Sequence, residues 1–213
     1  MSVRRTLAVL TSAGLAAFAG LVSATSAAAH EDDHSSPGTR SLATALAADR
    51  PGFDRNWSDY DIVEAAVAAV LKTRPQSPVK VLTDGTKPLT AFIPSDQAFR
   101  ALASDLTGKH YGSEKAVFSA VASLGIDTVE TVLRYHVVPG ATVDYRTAKR
   151  SDGAKLTTAL GSTITVDLRR EAVFLLDADT SDRNARVVQP NLNKGNRQIA
   201  HGISQVLRPV DLS

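Results

Sequence analysis

Apolar positions along this chain follow two different periods, and the change from one to the other divides it. In the first half they recur at helical spacing. Ile62, Val63, Ala66, Val67, Val70 and Leu71 form one stripe at i, i+1, i+4, i+5, i+8 and i+9. Ser58 or Asp59 supplies a cap for that helix, and Pro75 and Pro78 stop it. A shorter helix is expected from Ser41 through Ala48, broken by Pro51-Gly52. Val79 to Thr83 reads as a strand, Asp84-Gly85 as a turn and Leu89 to Ile93 as the return strand. Pro94 ends it. Ser95 then caps a helix that buries Phe99 and Leu102 and stops at Gly108. A further helix runs from about Glu114 to Leu124, with Val117, Phe118, Val121 and Leu124 inward and Gly125 as its stop. Asp127-x-x-Glu130 has the form of a capping box, and the helix it opens carries Val129, Val132, Leu133 and His136 on adjacent faces. Pro139-Gly140 turns the chain.

The last third alternates with period two. Ser162 to Leu168 is a half-buried strand, Arg169-Arg170-Glu171 a turn, and Ala172 to Leu176 the returning strand. Asp177 to Asn184 is a polar loop. Arg186 to Val188 and Ile203 to Leu207 complete the strands. Helices gathered in the N-terminal half and strands in the C-terminal half predict a single α+β domain over about 41–213, rather than an alternating α/β one.

Residues 1–29 obey neither period. Arg4 and Arg5 precede an apolar run from Leu7 to Val22, and Ala27-Ala28-Ala29 offers a small-residue cleavage site. This is the layout of a secretory signal peptide of bacterial style. The run has 16 residues, short of the roughly 20 that a spanning helix needs. The expectation is a product cleaved near Ala29, secreted, with no stable membrane insertion. Residues 30–40 are polar and rich in breakers, a disordered lead-in. His30, Glu31, Asp32, Asp33 and His34 lie there. A free α-amine beside the His30 imidazole would suit Cu(II), but a solvated tail is the simpler reading.

The charge balance changes little after that. The chain has 24 Lys and Arg against 22 Asp and Glu, and the surplus of two is Arg4 and Arg5. Without them the formal charge is zero, so no general positive field favours nucleic acid as a partner. Cysteine is absent, which excludes disulfides, thiolate metal sites and a cysteine nucleophile.

Three segments in order resemble the fasciclin domain family. Thr90-Ala91-Phe92-Ile93-Pro94-Ser95-Asp96-Gln97-Ala98-Phe99 is similar to the family's first conserved box. Leu133-Arg134-Tyr135-His136-Val137-Val138-Pro139-Gly140 is similar to its Tyr-His segment. Ile199-Ala200-His201-Gly202-Ile203-Ser204-Gln205-Val206-Leu207-Arg208-Pro209 resembles its second box. Leu156 to Gly161 also fits, and together the matches span about 41–211. The resemblance implies helices packed on a β-sandwich or wedge. It also implies a non-enzymatic module for protein–protein, cell-surface or matrix contact. Its candidate binding residues are Tyr135 and His136, from the family's Tyr-His region, and Pro190 and Asn191. The last two stand in Gln189-Pro190-Asn191-Leu192-Asn193, where some animal members carry an acidic integrin-binding segment. Here Asn191 replaces the acid. Two further departures are Ser204, where an Asp is common, and expanded regions near 75–86 and 109–125.

The residues themselves point the same way. Pro94-Ser95-Asp96 is explained by a strand end and a helix cap. His136 follows Val132 by four and reads as a core histidine bonded to backbone. Asn56-Trp57-Ser58 matches a glycosylation sequon by chance in a bacterial-style protein, and Trp57 packs the entry to the next helix. Arg146, Lys149, Arg150 and Lys155 make a solvated basic loop diluted by Asp144 and Asp152. No cofactor fingerprint or metal-ligand spacing stands out, so folding without a cofactor is expected. The alternative function is a small-ligand carrier, for example of a tetrapyrrole, or a hydrolytic enzyme, using His136 and His201.

Overall fold

The computed structural model describes residues 36–48 and 52–210. The expected signal peptide, most of the lead-in and the His30–His34 tail lie outside the described residues. The helical half contains α1 (Leu42–Leu46), α2 (Asp61–Thr73), α3 (Asp96–Thr107), α4 (Glu114–Ala122) and α5 (Ile126–Tyr135). The order of the seven-stranded mixed sheet is β2-β1-β7-β6-β5-β4-β3. Its strands are β1 (Leu89–Pro94), β2 (Val137–Pro139), β3 (Lys155–Thr157), β4 (Thr163–Arg169), β5 (Ala172–Leu176), β6 (Ala185–Leu192) and β7 (Gln198–Ile203). The architecture is the single α+β domain expected. One additional short helix, α6 (Tyr145–Ala148), sits in the supposed basic loop, capped by Asp144 Oδ1, which accepts from the Thr147 amide at 2.8 Å.

β1 and β7 run parallel in continuous register, from Leu89 opposite Gln198 to Pro94 opposite Ile203. Every residue of both strands is buried. Strands covered on both faces lose alternation and read as unbroken apolar runs. One apolar core packs α2, α3, α4 and α5 against β1, and a second joins Phe92, Tyr135 and Leu207 to β4, β5 and β6. At the β4–β5 hairpin Arg170 and Glu171 take φ of 46° and 66°, the left-handed pair that a two-residue turn matching strand twist requires.

Four expectations are corrected. Pro78–Thr83 is a 3-10 turn, not a strand: Val79 and Leu82, three apart, are the residues it buries. Its backbone is satisfied by a side chain instead of a sheet partner. The buried amide of Gln198 donates to the carbonyls of Val81 and Asp84 at 2.8 and 2.7 Å, while its Oε1 accepts from the Leu42 amide at 2.7 Å. The last strand is Gln198–Ile203 rather than Ile203–Leu207, because pairing with β1 ends where Pro94 ends β1. Val206 and Leu207 remain buried beyond it. The Asp127/Glu130 capping box does not form. Gly125, at φ 90°, is the N-cap, and Glu130 faces Ser77 Oγ at 2.6 Å and Arg74 Nη1 at 2.5 Å. The α2 helix starts at Asp61, with Tyr60 rather than Ser58 or Asp59 in the N-cap position.

Candidate functional site

The strand-to-helix turn of the first box is built as its residues require. Ser95 Oγ accepts from the Ala98 amide at 3.3 Å, and Asp96, first residue of α3, accepts from the Ile62 amide at 3.0 Å. The second interaction ties the start of α3 to the start of α2. The glycine of the closing box answers a close approach: a Cβ on Gly202 would lie 2.1 Å from Tyr60 Oη. That hydroxyl donates to Gln189 Oε1 at 2.6 Å.

His136 caps the end of α5 and is 3% exposed. Its Nε2 accepts from the Leu207 amide at 2.9 Å, so Nδ1 carries the proton and donates to the Val132 carbonyl at 2.7 Å. A neutral ring is required by that pairing, and burial pushes its pKa down to about 4. His201, in β7, mirrors it. Nε2 donates to the Val143 carbonyl at 2.9 Å, and Nδ1 accepts from the Asn191 amide at 3.3 Å. Its ring stacks on Phe92 with centroids 5.9 Å apart, and burial lowers its pKa as well. Tyr135 is fully buried in the sheet-side core, its Oη donating to the Thr163 carbonyl at 3.2 Å. Burial is the main cause of its raised pKa.

Pro190 is exposed on β6. Asn191, beside a register shift, has φ 63°, and its Oδ1 accepts from the Tyr145 amide at 2.8 Å. The fold therefore joins Asn191 to His201 and α6, while His136 and Tyr135 bond elsewhere: His136 to Val132 and Leu207, Tyr135 to Thr163. Both histidines spend both ring nitrogens on backbone. As chemistry, this arrangement staples helix and loops to the sheet. A proton acceptor or axial ligand would need a nitrogen released from one of these bonds.

Three features escaped reading from sequence. Arg208, in the closing box, is a buried cation held by Asp179 and Asp105 at 3.1 Å and Asp182 at 3.0 Å. Its own amide donates to Asp177 Oδ2 at 2.7 Å, which anchors the 177–184 loop. The signal was a single charge directly after Val206-Leu207 and before Pro209. The second feature is an apolar groove lined by Leu106, Leu124, Val132, Leu160, Pro209 and Val210. Leu106, Leu124 and Val210 are 40%, 42% and 57% exposed; among the described residues the only other large exposed hydrophobic is Val188. The third is a set of carboxylates where α2, α3 and α4 begin: Asp54, Asp59, Asp61, Asp96 and Glu114.

The Fasciclin domain family model matches residues 65–209, and the chain belongs to that family. Among solved structures, the FAS1 domain pair from the insect cell adhesion molecule Fasciclin I is similar at a TM-score of 0.53 with 17% identity. The match covers 81% of this chain and 51% of that one, so this chain spans about half the length of the pair. No curated protein matches the sequence.

Proposed function

We propose that this chain is a secreted, non-enzymatic fasciclin-type module that binds a protein of the cell surface or matrix. The carrying observation is the groove at Leu106, Leu124 and Val210, which gathers three of the four large exposed hydrophobics among the described residues. Apolar side chains gathered in one concave place mark contact sites more often than scattered ones do. Thr128, Thr131 and Asp127 supply a polar rim. The partner is a protein that inserts apolar side chains. The engagement of both histidines with backbone supports the non-enzymatic reading. Family membership supports adhesion, since fasciclin domains occur in adhesion-related proteins. Export rests on the sequence of residues 1–29.

Binding of the purified mature protein to envelope and matrix preparations of its own producing cells tests this. Leu124→Asp should weaken binding by about tenfold or more, as loss of a central interface anchor does. Val188→Asp, outside the groove, should leave it unchanged. Equal binding by wild type and Leu124→Asp would refute the groove as the contact, and no binding by wild type would refute adhesion. Intact mass of the protein from culture medium tests export: retention of Met1 would overturn cleavage.

A further inference from the structure

The first residues of α2, α3 and α4 are Asp61, Asp96 and Glu114. All three are buried, and Asp96 and Glu114 are fully so. One oxygen of each of the latter two is accounted for. Asp96 Oδ1 accepts from the Ile62 amide, and Glu114 Oε2 accepts from the Asp54 amide at 2.6 Å. The other oxygens, Asp96 Oδ2 and Glu114 Oε1, are sealed from solvent and receive no N–H from the described residues, and Asp96 meets the Asp59 carboxyl side chain to side chain. Asp59 closes the group: one oxygen each of Asp59, Asp96 and Glu114 lie within 4.8 Å of one another. Asp54, Asp59 and Asp61 form a second triad of the same spacing that shares Asp59.

We propose that this convergence of three helix starts is a divalent-cation site, taking Ca²⁺ through Asp59, Asp96 and Glu114, with Asp54 and Asp61 beside them. Two carboxylates that face each other hold together only through a proton or a cation. The charges that act on Asp96 and Glu114 from the described residues are those of other carboxylates. Amide donors on the occupied oxygens favour the ionised forms. Helix starts also favour negative charge, and here three of them meet. Burial and the neighbouring carboxylates outweigh these effects and favour a proton while the site is empty, so Ca²⁺ would displace that proton and supply the positive charge that the two unbonded oxygens lack. An all-oxygen donor set suits a hard cation. Ca²⁺ holds its oxygens about 2.3–2.6 Å away, so oxygens on one ion lie at most about 5 Å apart, and the observed spacing fits. The set grades from exposed Asp54 through half-buried Asp59 to buried Asp96 and Glu114, which provides an entry path.

The test uses mature protein stripped with chelator, then titrated with CaCl₂ or MgCl₂ at constant ionic strength, read by calorimetry and thermal melting. Ca²⁺ should bind with a Kd below about 1 mM, the weaker end for extracellular calcium modules, and raise the melting midpoint. Asp96→Asn and Glu114→Gln should each weaken binding by about tenfold or more, since each removes an anionic ligand. In chelator both variants should melt at or above wild type, because a neutral amide needs no counter-charge. Should one variant fail to fold, the other and Tb³⁺ carry the test. Tb³⁺ is a Ca²⁺ mimic excited through nearby indole or phenol rings, and Trp57 and Tyr60 flank Asp59 in the chain. Its emission should rise on binding and fall on competition by Ca²⁺. Equal melting of wild type in chelator and in Ca²⁺ would overturn the proposal and assign the oxygens a proton. Equal responses to Ca²⁺ and Mg²⁺, or unweakened binding by the variants, would overturn it as general ionic screening.

Discussion

The histidine pair and the acidic cluster solve the same problem in different ways. Each buries titratable side chains in one domain. His136 and His201 lie where loops and strand ends bring free backbone groups, so every ring nitrogen finds a partner and both rings stay neutral. Asp96 and Glu114 lie where helices begin. Amide donors there satisfy one oxygen of each and leave the other unmet. Burying a polar group is cheap once it is fully bonded and expensive otherwise. The first cluster is closed on itself, whereas the second requires a proton or an ion from outside. The same chain thus carries one polar site built for rigidity and one built to respond.

The largest effect should come from breaking the closed site. His136→Ala removes a buried ring and leaves the Leu207 amide and the Val132 carbonyl without it. We expect a loss of about 3–4 kcal/mol in denaturant titration, combining cavity and unpaired-group costs. Equal midpoints for variant and wild type would show that the ring is not packed as described.

Next in size is pH, where the two sites pull in opposite directions. The lowered pKa of His136, about 4, and of His201 means the unfolded chain takes up protons first. Their contribution is complete above about 6.5 and is lost as pH falls from there toward 4. Asp96 runs the other way. Burial, then its neighbours Asp59 and Glu114, push it up to about 8. In chelator its contribution is full below about 3.9 and is lost as pH rises through 8. Glu114 is raised too, first by burial. Tyr60, shifted by burial and by Asp59 and Asp96 to about 12, stays protonated throughout. Between about pH 6.5 and 8 the histidines are silent, so chelated protein should lose stability at up to about 1.4 kcal/mol per pH unit. Saturating Ca²⁺ should flatten that slope. A chelated protein with no slope there would break the contrast between the sites.

A smaller effect tests the edge of the closed site. Asn191→Ala keeps a left-handed φ that Ala disfavours and removes the acceptor for the Tyr145 amide. The expected cost is about 1–2 kcal/mol. Asn191→Gly should recover the part due to backbone strain. If both variants match wild type, this bulge is not held by Asn191. Smallest on stability is Leu124→Asp. Its side chain is already substantially exposed, so a change within about 0.5 kcal/mol is expected, leaving the binding loss as its signature. A large drop in melting would make the groove part of the core.

Much of this architecture was legible before any coordinates. The α2 stripe, the Ser95 cap and the Thr163–Leu176 hairpin each rest on contacts a few residues apart. Val79–Thr83 misled because a short apolar run is compatible with either strand or turn; Gln198, 117 residues beyond Val81, satisfies its backbone. Glu130 had the spacing of a capping box, yet Arg74 and Ser77, at and just beyond the end of α2, claim it. Of the candidate binding residues, His136 was readable as an inward-facing helix residue, whereas the full burial of Tyr135 was not. The link between Asn191 and His201 depended on a β6 irregularity that no periodicity reveals.

What the sequence by itself determined is whatever its local physics dictates. It set the period of each half, most caps and turns, the family resemblance, and the neutrality of charge outside the first 29 residues. Only the tertiary structure decided which polar groups share an interior. Asp59, Asp96 and Glu114 lie 37 and 18 residues apart along the chain, and each alone is an ordinary acid near a helix start. They become one site because packing α2, α3 and α4 on β1 brings three helix starts together. Whether a buried oxygen is satisfied depends on every neighbour at once, and that is a property of the folded chain rather than of any segment.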